Sequence, residues 1–144
     1  MEQKTTVQYI IISGDIPAKQ QYLALHAPTG WNANGFFTPD QLYEGICNSW
    51  YSIAAYDDQQ LIGFGRIVSD GIYQTFICDV MIQPSYQANG VGKKVMTALV
   101  QLCQQQGIKS VQLFCAPGKK PFDEKLGFIV GDIEAPGMTL FLDK

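Results

Sequence analysis

The stretch Ile82-Gln83-Pro84-Ser85-Tyr86-Gln87-Ala88-Asn89-Gly90-Val91-Gly92-Lys93-Lys94 decides how the rest of the chain is read. A long apolar run, Tyr73 to Ile82, leads into it and reads as a buried strand. Beyond it Val91, Val95, Ala98, Leu99, Leu102 and Cys103 recur at helical spacing as far as Gly107. The segment is therefore a glycine-containing turn between a buried strand and a long helix. Small residues there let ligand oxygens approach the backbone. The unpaired N–H groups of the first helical turn and the helix dipole then favour a negative group. Lys93 and Lys94 add positive charge, so the expectation is an anion site suited to a pyrophosphate.

Three phosphate motifs compete for this turn. A Walker loop needs glycine at position 87 and Ser or Thr at position 94, where the chain has Gln87 and Lys94. The dinucleotide pattern finds Gly90 and Gly92 but meets Val95 at its third glycine, and its strand is preceded by three others. The third pattern is Gln or Arg, two residues, Gly, one residue, then Gly or Ala. Gln87-Ala88-Asn89-Gly90-Val91-Gly92 satisfies it in full.

Working outward, Val7 to Ser13 reads as a first strand and Pro17 to Leu25 as a weak helix. Trp31 to Phe37, rich in Asn, Gly and aromatics, reads as a loop. Thr38-Pro39-Asp40 starts a second helix, with Thr as N-cap and Pro at the first helical position. Trp50 to Tyr56 and Leu61 to Val68 form a hairpin across Asp57-Asp58-Gln59-Gln60, and Ser69-Asp70-Gly71 turns into the strand from Tyr73. Past Gly107 the pattern predicts strands at Val111–Cys115, Phe128–Val130 and Met138–Leu142, with a short helix from Lys119 to Leu126. The sum is β-α-α-β-β-β-α-β-α-β-β. This is an α/β fold with a mixed β-sheet, helices on both faces and one βαβ crossover.

Composition bounds the rest. The 144 residues suit one domain spanning 1–144. A hydrophobic share of 47% and a charged share of 16% exclude a disordered chain. The net charge of −3 argues against nucleic acid or an anionic membrane as partner, since both need clustered cations. No apolar stretch is long enough to span a bilayer, and no secretory signal is expected from Met1-Glu2-Gln3-Lys4-Thr5-Thr6. Cys47, Cys78, Cys103 and Cys115 form no CxxC pair, so no metal is expected and the thiols read as reduced, in the cytoplasm.

Asp79 to Gly92 resembles the central strand and pyrophosphate loop of the GNAT superfamily of acetyl-CoA-dependent N-acetyltransferases. Phe122-Asp123-Glu124-Lys125-Leu126-Gly127-Phe128 resembles its second recurring segment, and the element order is similar throughout. The resemblance implies that Gln87, Ala88, Asn89, Gly90, Val91, Gly92 and Lys93 hold the CoA pyrophosphate through backbone N–H groups. It implies that Val80, Met81 and Ile82 pair with the pantetheine arm like an added strand, with Val80 donating to the thioester oxygen as an oxyanion site. Ala116 and Phe122 would line the far wall of the slot. The acceptor, a primary amine of a small molecule or peptide, would meet Trp31 with its loop and Tyr73. Dimers are common in the family, so a homodimer is compatible with the sequence.

In such proteins a neutral amine attacks the thioester directly. Deprotonating an alkylammonium of pKa about 10.4 at pH 7 costs roughly 4 to 5 kcal/mol, so a base is valuable. Asp79, the only charged residue in its strand, is the candidate. A turn at Ser69-Asp70-Gly71 would set Arg66 opposite about Thr75, leaving Asp79 near Ile62 and away from that guanidinium. His26, the sole histidine, reads as a helical residue without a catalytic part. At position 123, where many relatives have a tyrosine that protonates the departing thiolate, this chain has Asp123. The alternative function is an acyl-CoA-binding sensor or interaction domain of the same fold with little turnover.

Overall fold

The computed structural model describes residues 10–142. Contacts divide the chain into two compact units, residues 1–112 and 113–144. The first unit holds a four-stranded antiparallel sheet in the order β1-β2-β3-β4, with β1 Ile10–Ser13, β2 Tyr51–Asp57, β3 Gln60–Ser69 and β4 Thr75–Ile82. Residues 7–9 of the expected first strand lie outside the described residues.

Side chains alternate across a strand, and the two faces of β3 show it. Phe64 faces a core made with Tyr22 and Leu25 of α1 (Lys19–His26), Ile46 of α2 (Pro39–Cys47), Ala54, Leu61 and Met81. Its neighbours Gly63 and Gly65 face the other way, toward α3 (Val91–Gln105). A Cβ at Gly65 would lie 2.8 Å from Leu99 and 3.2 Å from both Val80 and Val95, so the missing side chains let α3 lie close against the sheet. The helix buries Val91, Val95, Leu99 and Cys103, one residue per turn along one stripe. Helices on both faces of the sheet bear out the expected α/β class.

The N-terminal signal of α2 is built as its residue types require. Thr38 accepts the N–H of Gln41 at 3.1 Å, and the Gln41 side chain accepts the N–H of Thr38 at 2.9 Å, closing a capping box around Pro39.

The strands past α3 are corrected. Of Val111–Cys115, only a single parallel bridge forms, Phe76 with Gln112, through Ile77 N–H to Gln112 O and Gln112 N–H to Thr75 O, each 2.9 Å. It has the parallel sense expected of a crossover through α3. In the second unit the expected helix is α4, Lys120–Lys125, but Phe128–Val130 and Met138–Leu142 form no strand. Both runs are short and bounded by Gly127, Gly131, Pro136 and Gly137. Among the described residues they find no ladder partner, and Ile129 is 93% exposed.

Replacing Thr38 by Ala removes one side of the capping box. Urea denaturation should show a loss of about 1 kcal/mol with an unchanged m-value.

Candidate active site

The turn between β3 and β4 is longer than the sequence reading allowed. Asp70 accepts the backbone N–H groups of Ile72 at 2.8 Å, Tyr73 at 2.7 Å and Gln74 at 3.2 Å, and these bonds hold its carboxyl below the usual carboxylate range. The ladder therefore closes at Ser69–Thr75, and Arg66 lies opposite Cys78. Tyr73, expected on the strand, sits in this turn and is 73% exposed. The pairs Phe64–Met81 and Arg66–Cys78 leave Asp79 and Val80 facing Gly65 alone, which is a β-bulge. Asp79 has φ +57°, a left-handed conformation that suits a short polar side chain.

The bulge brings Asp79 to Arg66. The guanidinium Nε donates to Asp79 Oδ2 at 2.5 Å, and Nη1 donates to the carbonyl of Gly45 in α2 at 3.0 Å. Burial opposes the charge of Arg66, but the hydrogen bond and attraction of Asp79 outweigh it and raise the guanidinium pKa. The expectation that Asp79 lies out of reach of Arg66 is thus corrected, and with it the premise of an unengaged carboxylate acting as base. Burial first, then Asp79, pushes up the Cys78 thiol. The Tyr22 phenol is likewise raised, mainly by burial and next by the charge of Asp79.

At the far end of β4 the chain enters the glycine turn. Gln83 Oε1 accepts the N–H of Ser85 at 2.9 Å, a 3₁₀ turn covers Pro84–Tyr86, and Gln87 Nε2 donates to Ile82 O at 3.1 Å. Buried Tyr86 donates its hydroxyl to Asp57 at the end of β2, which ties the turn to the sheet. Burial and this bond push the phenol up to about 12. Ala88 and Gly90 take φ +66° and +84°, and the first helical bond is Lys94 N–H to Gly90 O at 3.1 Å. Among the described residues, the six backbone N–H groups from Ala88 to Lys93 have no acceptor. The side-chain amide nitrogen of Asn89 is buried without a partner. A run of unsatisfied donors beside Lys93 and Lys94 fits an anion with several oxygens, such as a pyrophosphate.

Toward Met81 and Ile82 the outer edge of β4 is open. Among the described residues of the first unit, it is met only at Phe76, by Gln112. Val80, Met81 and Ile82 thus lie on a strand edge that could pair with an extended ligand.

The opposite face of the sheet carries a cavity of about 260 Å3 against α1 and α2, lined in part by Tyr22, His26, Phe37, Gln41, Arg66 and Asp79. Beside it lies one of about 330 Å3, to which His26 and Leu42 are common. The aromatic loop is tied across its mouth, with Asn32 accepting from the Phe37 N–H at 3.0 Å and donating to the Phe37 carbonyl at 2.8 Å. Trp31 sets its ring edge against His26, with centroids 5.9 Å apart. Sequence reading assigned His26 no catalytic part and set Arg66 out of reach of Asp79; the structure puts both on the wall of one cavity. The signal for the first was the spacing Tyr22, Leu25, His26, one face of α1.

In the second unit Asp123 is buried in the first turn of α4. Its hydrogen bond is the largest of the influences that raise the Cys115 thiol, so the carboxylate has a neighbour of its own. Phe122 lies beside it in α4, half-buried.

The bulged strand β4 thus runs into a turn of unpaired backbone donors, an arrangement that fits an anion. Residues 21–128 match the model of the Acetyltransferase (GNAT) family, and the chain belongs to that family. It is 38% identical over 81 residues to an uncharacterized N-acetyltransferase ycf52 of Pyropia yezoensis, a match covering 56% of this chain and 47% of the relative. It is 37% identical over 78 residues to the chloroplastic GCN5-related N-acetyltransferase 1 of Arabidopsis thaliana, covering 54% and 40%. These matches span about half the length of the curated relatives or less. A protein of unknown function from methicillin-resistant Staphylococcus aureus superposes with TM-score 0.78 at 26% identity, over 92% of this chain and 99% of that one. The fold is also that of the PaiA N-acetyltransferase of Thermoplasma acidophilum solved with coenzyme A, with TM-score 0.69 at 18% identity over 85% and 91%.

The ion pair makes a stability prediction. Asp79→Ala strands a half-buried guanidinium and puts a Cβ without a polar group into the left-handed region. Urea denaturation should show a loss of about 2 to 4 kcal/mol. Asp79→Asn, which tolerates that conformation and can still accept from Arg66, should lose less than half as much.

Proposed function

We propose that this chain, acting as one domain, transfers the acetyl group of acetyl-CoA to a primary amine of a small molecule or peptide by direct attack. The observation that carries the reading is the run of unsatisfied N–H groups from Ala88 to Lys93 around the orphaned Asn89 amide. These donors would hold the pyrophosphate of CoA, with Gln87 at the entry of the turn. The pantetheine arm would then lie along the open edge at Val80, Met81 and Ile82. The bulge turns Val80 out of the regular ladder, where its N–H would face the thioester oxygen and stabilise charge developing there. On the other side of the strand, the cavity at Asp79 and Arg66 offers a carboxylate and aromatic walls to an ammonium group, with Trp31 packed against its His26 wall. Tyr73 in the Asp70 turn is exposed and available to a bulkier acceptor. The free cysteines support a reducing compartment, with the cytoplasm as our assignment.

A second reading is favoured by one residue. Asp123 replaces the tyrosine that would protonate the thiolate, and it is buried beside Cys115. An acyl-CoA-binding domain with little turnover would keep the loop and dispense with the acid. Releasing an unprotonated thiolate of pKa about 8.5 at pH 7 costs only about 2 kcal/mol, so the substitution slows transfer more readily than it abolishes it.

Isothermal titration with acetyl-CoA should give saturable binding. Gly90→Val, which forces a β-branched side chain into φ +84°, should weaken it about tenfold or more while lowering the melting temperature by only several degrees, the cost of that strain. A folded protein that binds neither acetyl-CoA nor CoA would refute both readings. Thiol release over a panel of amines separates them, since only the enzyme couples release to amide formation.

A further inference from the structure

His26 is buried to 8% exposure at the end of α1, and its ring nitrogens make no hydrogen bond to any described residue. Its ring lies between those of Tyr22 and Trp31, with centroids 5.9 Å from each. It is a wall of both cavities on this face of the sheet, one of which also holds Arg66 and Asp79. With no partner among the described residues, the imidazole nitrogens are available to a group that enters either cavity.

We propose that His26 is the proton acceptor for the ammonium form of the acceptor amine, seated in the cavity that His26 shares with Arg66 and Asp79. The assignment rests on the acetyl-transfer reading above and adds the residue that makes the amine reactive. The charged and titratable groups that share this cavity are Tyr22 on α1, Arg66 on β3 and Asp79 on β4; α2 contributes the neutral Gln41, and the loop contributes Phe37. Arg66 has no proton-accepting site. Asp79 is held by Arg66, and the raised Tyr22 phenol keeps its proton through the neutral range. Imidazole is the remaining group, and it is the side chain whose chemistry suits proton acceptance near neutrality.

The step balances as follows. The ammonium nitrogen gives one proton to a ring nitrogen of His26, and its freed lone pair forms the C–N bond to the thioester carbon. The C–S bond breaks and its electron pair leaves on sulfur. The second proton lost from nitrogen ends on the thiolate. The proton on His26 returns to solvent through the cavity of about 330 Å3 on its other side.

The test uses the full chain with acetyl-CoA and two probe amines, 2-phenylethylamine, which is an ammonium at pH 7, and 2,2,2-trifluoroethylamine, which is already neutral. His26→Gln should lower kcat/KM for phenylethylamine by about 10²- to 10⁴-fold at pH 7, with the loss shrinking as pH rises. For trifluoroethylamine the loss should stay within about tenfold, since the amine has no proton to give before attack. Added imidazole should restore phenylethylamine turnover in His26→Ala, which also guards against a folding defect in one variant. As His26 is the sole histidine, its ring NMR signal is unambiguous and should move when phenylethylamine is added without acetyl-CoA. Equal losses for both amines in His26→Gln, or none, would overturn the assignment while leaving acetyl transfer standing. A wild-type protein that binds acetyl-CoA yet acetylates neither amine would overturn the transferase reading, and the role of His26 with it.

Discussion

The guanidinium of Arg66 joins three elements that would otherwise be independent. It rises from β3, pairs with Asp79 on β4 and reaches the Gly45 carbonyl on α2. At this point β4 has one residue more than β3 can match, and the extra length is taken up by Asp79 in the left-handed region. A non-glycine residue there costs about 1 to 2 kcal/mol, which the ion pair and the second hydrogen bond are placed to offset. The bulge in turn releases Val80 from regular pairing and directs the Asp79 carboxylate into the cavity under α1 and α2. Both the displaced edge at Val80 and the lining of the pocket beneath α1 and α2 follow from one pair of side chains.

The same strand supplies the anion site at its other end. Tyr86 is buried and bonded to Asp57, Gln83 closes on Ser85, and Gln87 folds back on Ile82. Each bond fixes the turn from the protein side and leaves the N–H groups of the next six residues for a ligand. Such preorganisation lowers the ordering cost that binding must overcome. It also explains why the orphaned Asn89 amide is tolerated, since its partner arrives with the ligand.

What the sequence made legible was local. The Thr38 cap, the glycine turn and the apolar stripe of α3 depend on residues a few positions apart, and each is built as its residue types require. What it hid depends on register. The Asp70 carboxylate gathers three N–H groups and lengthens the turn, so the ladder slides and Arg66 meets Asp79 instead of passing it. No hydrophobic periodicity reports that choice, because both registers keep the same residues apolar. The surroundings of His26 were illegible for a related reason. Its meaning comes from Trp31, Arg66 and Asp79, which only the fold brings to one wall. The late strands failed for want of partners, since a period-two pattern states that a segment can pair but not that it does.

Magnitudes decide which proton matters to the chemistry. Stripping an alkylammonium at neutral pH costs about 4 to 5 kcal/mol, whereas losing a thiolate without protonation costs about 2 kcal/mol. A protein with one useful group to place gains more from a base near the amine than from an acid near the sulfur. The chain follows that order: Asp123 stands where an acid would be, while an unpaired imidazole is kept buried beside the cavity that carries the carboxylate. In the proposed reaction the sheet divides the task between its faces, with the edge of β4 and its turn for the acyl donor and the cavity beneath α1 for the nucleophile.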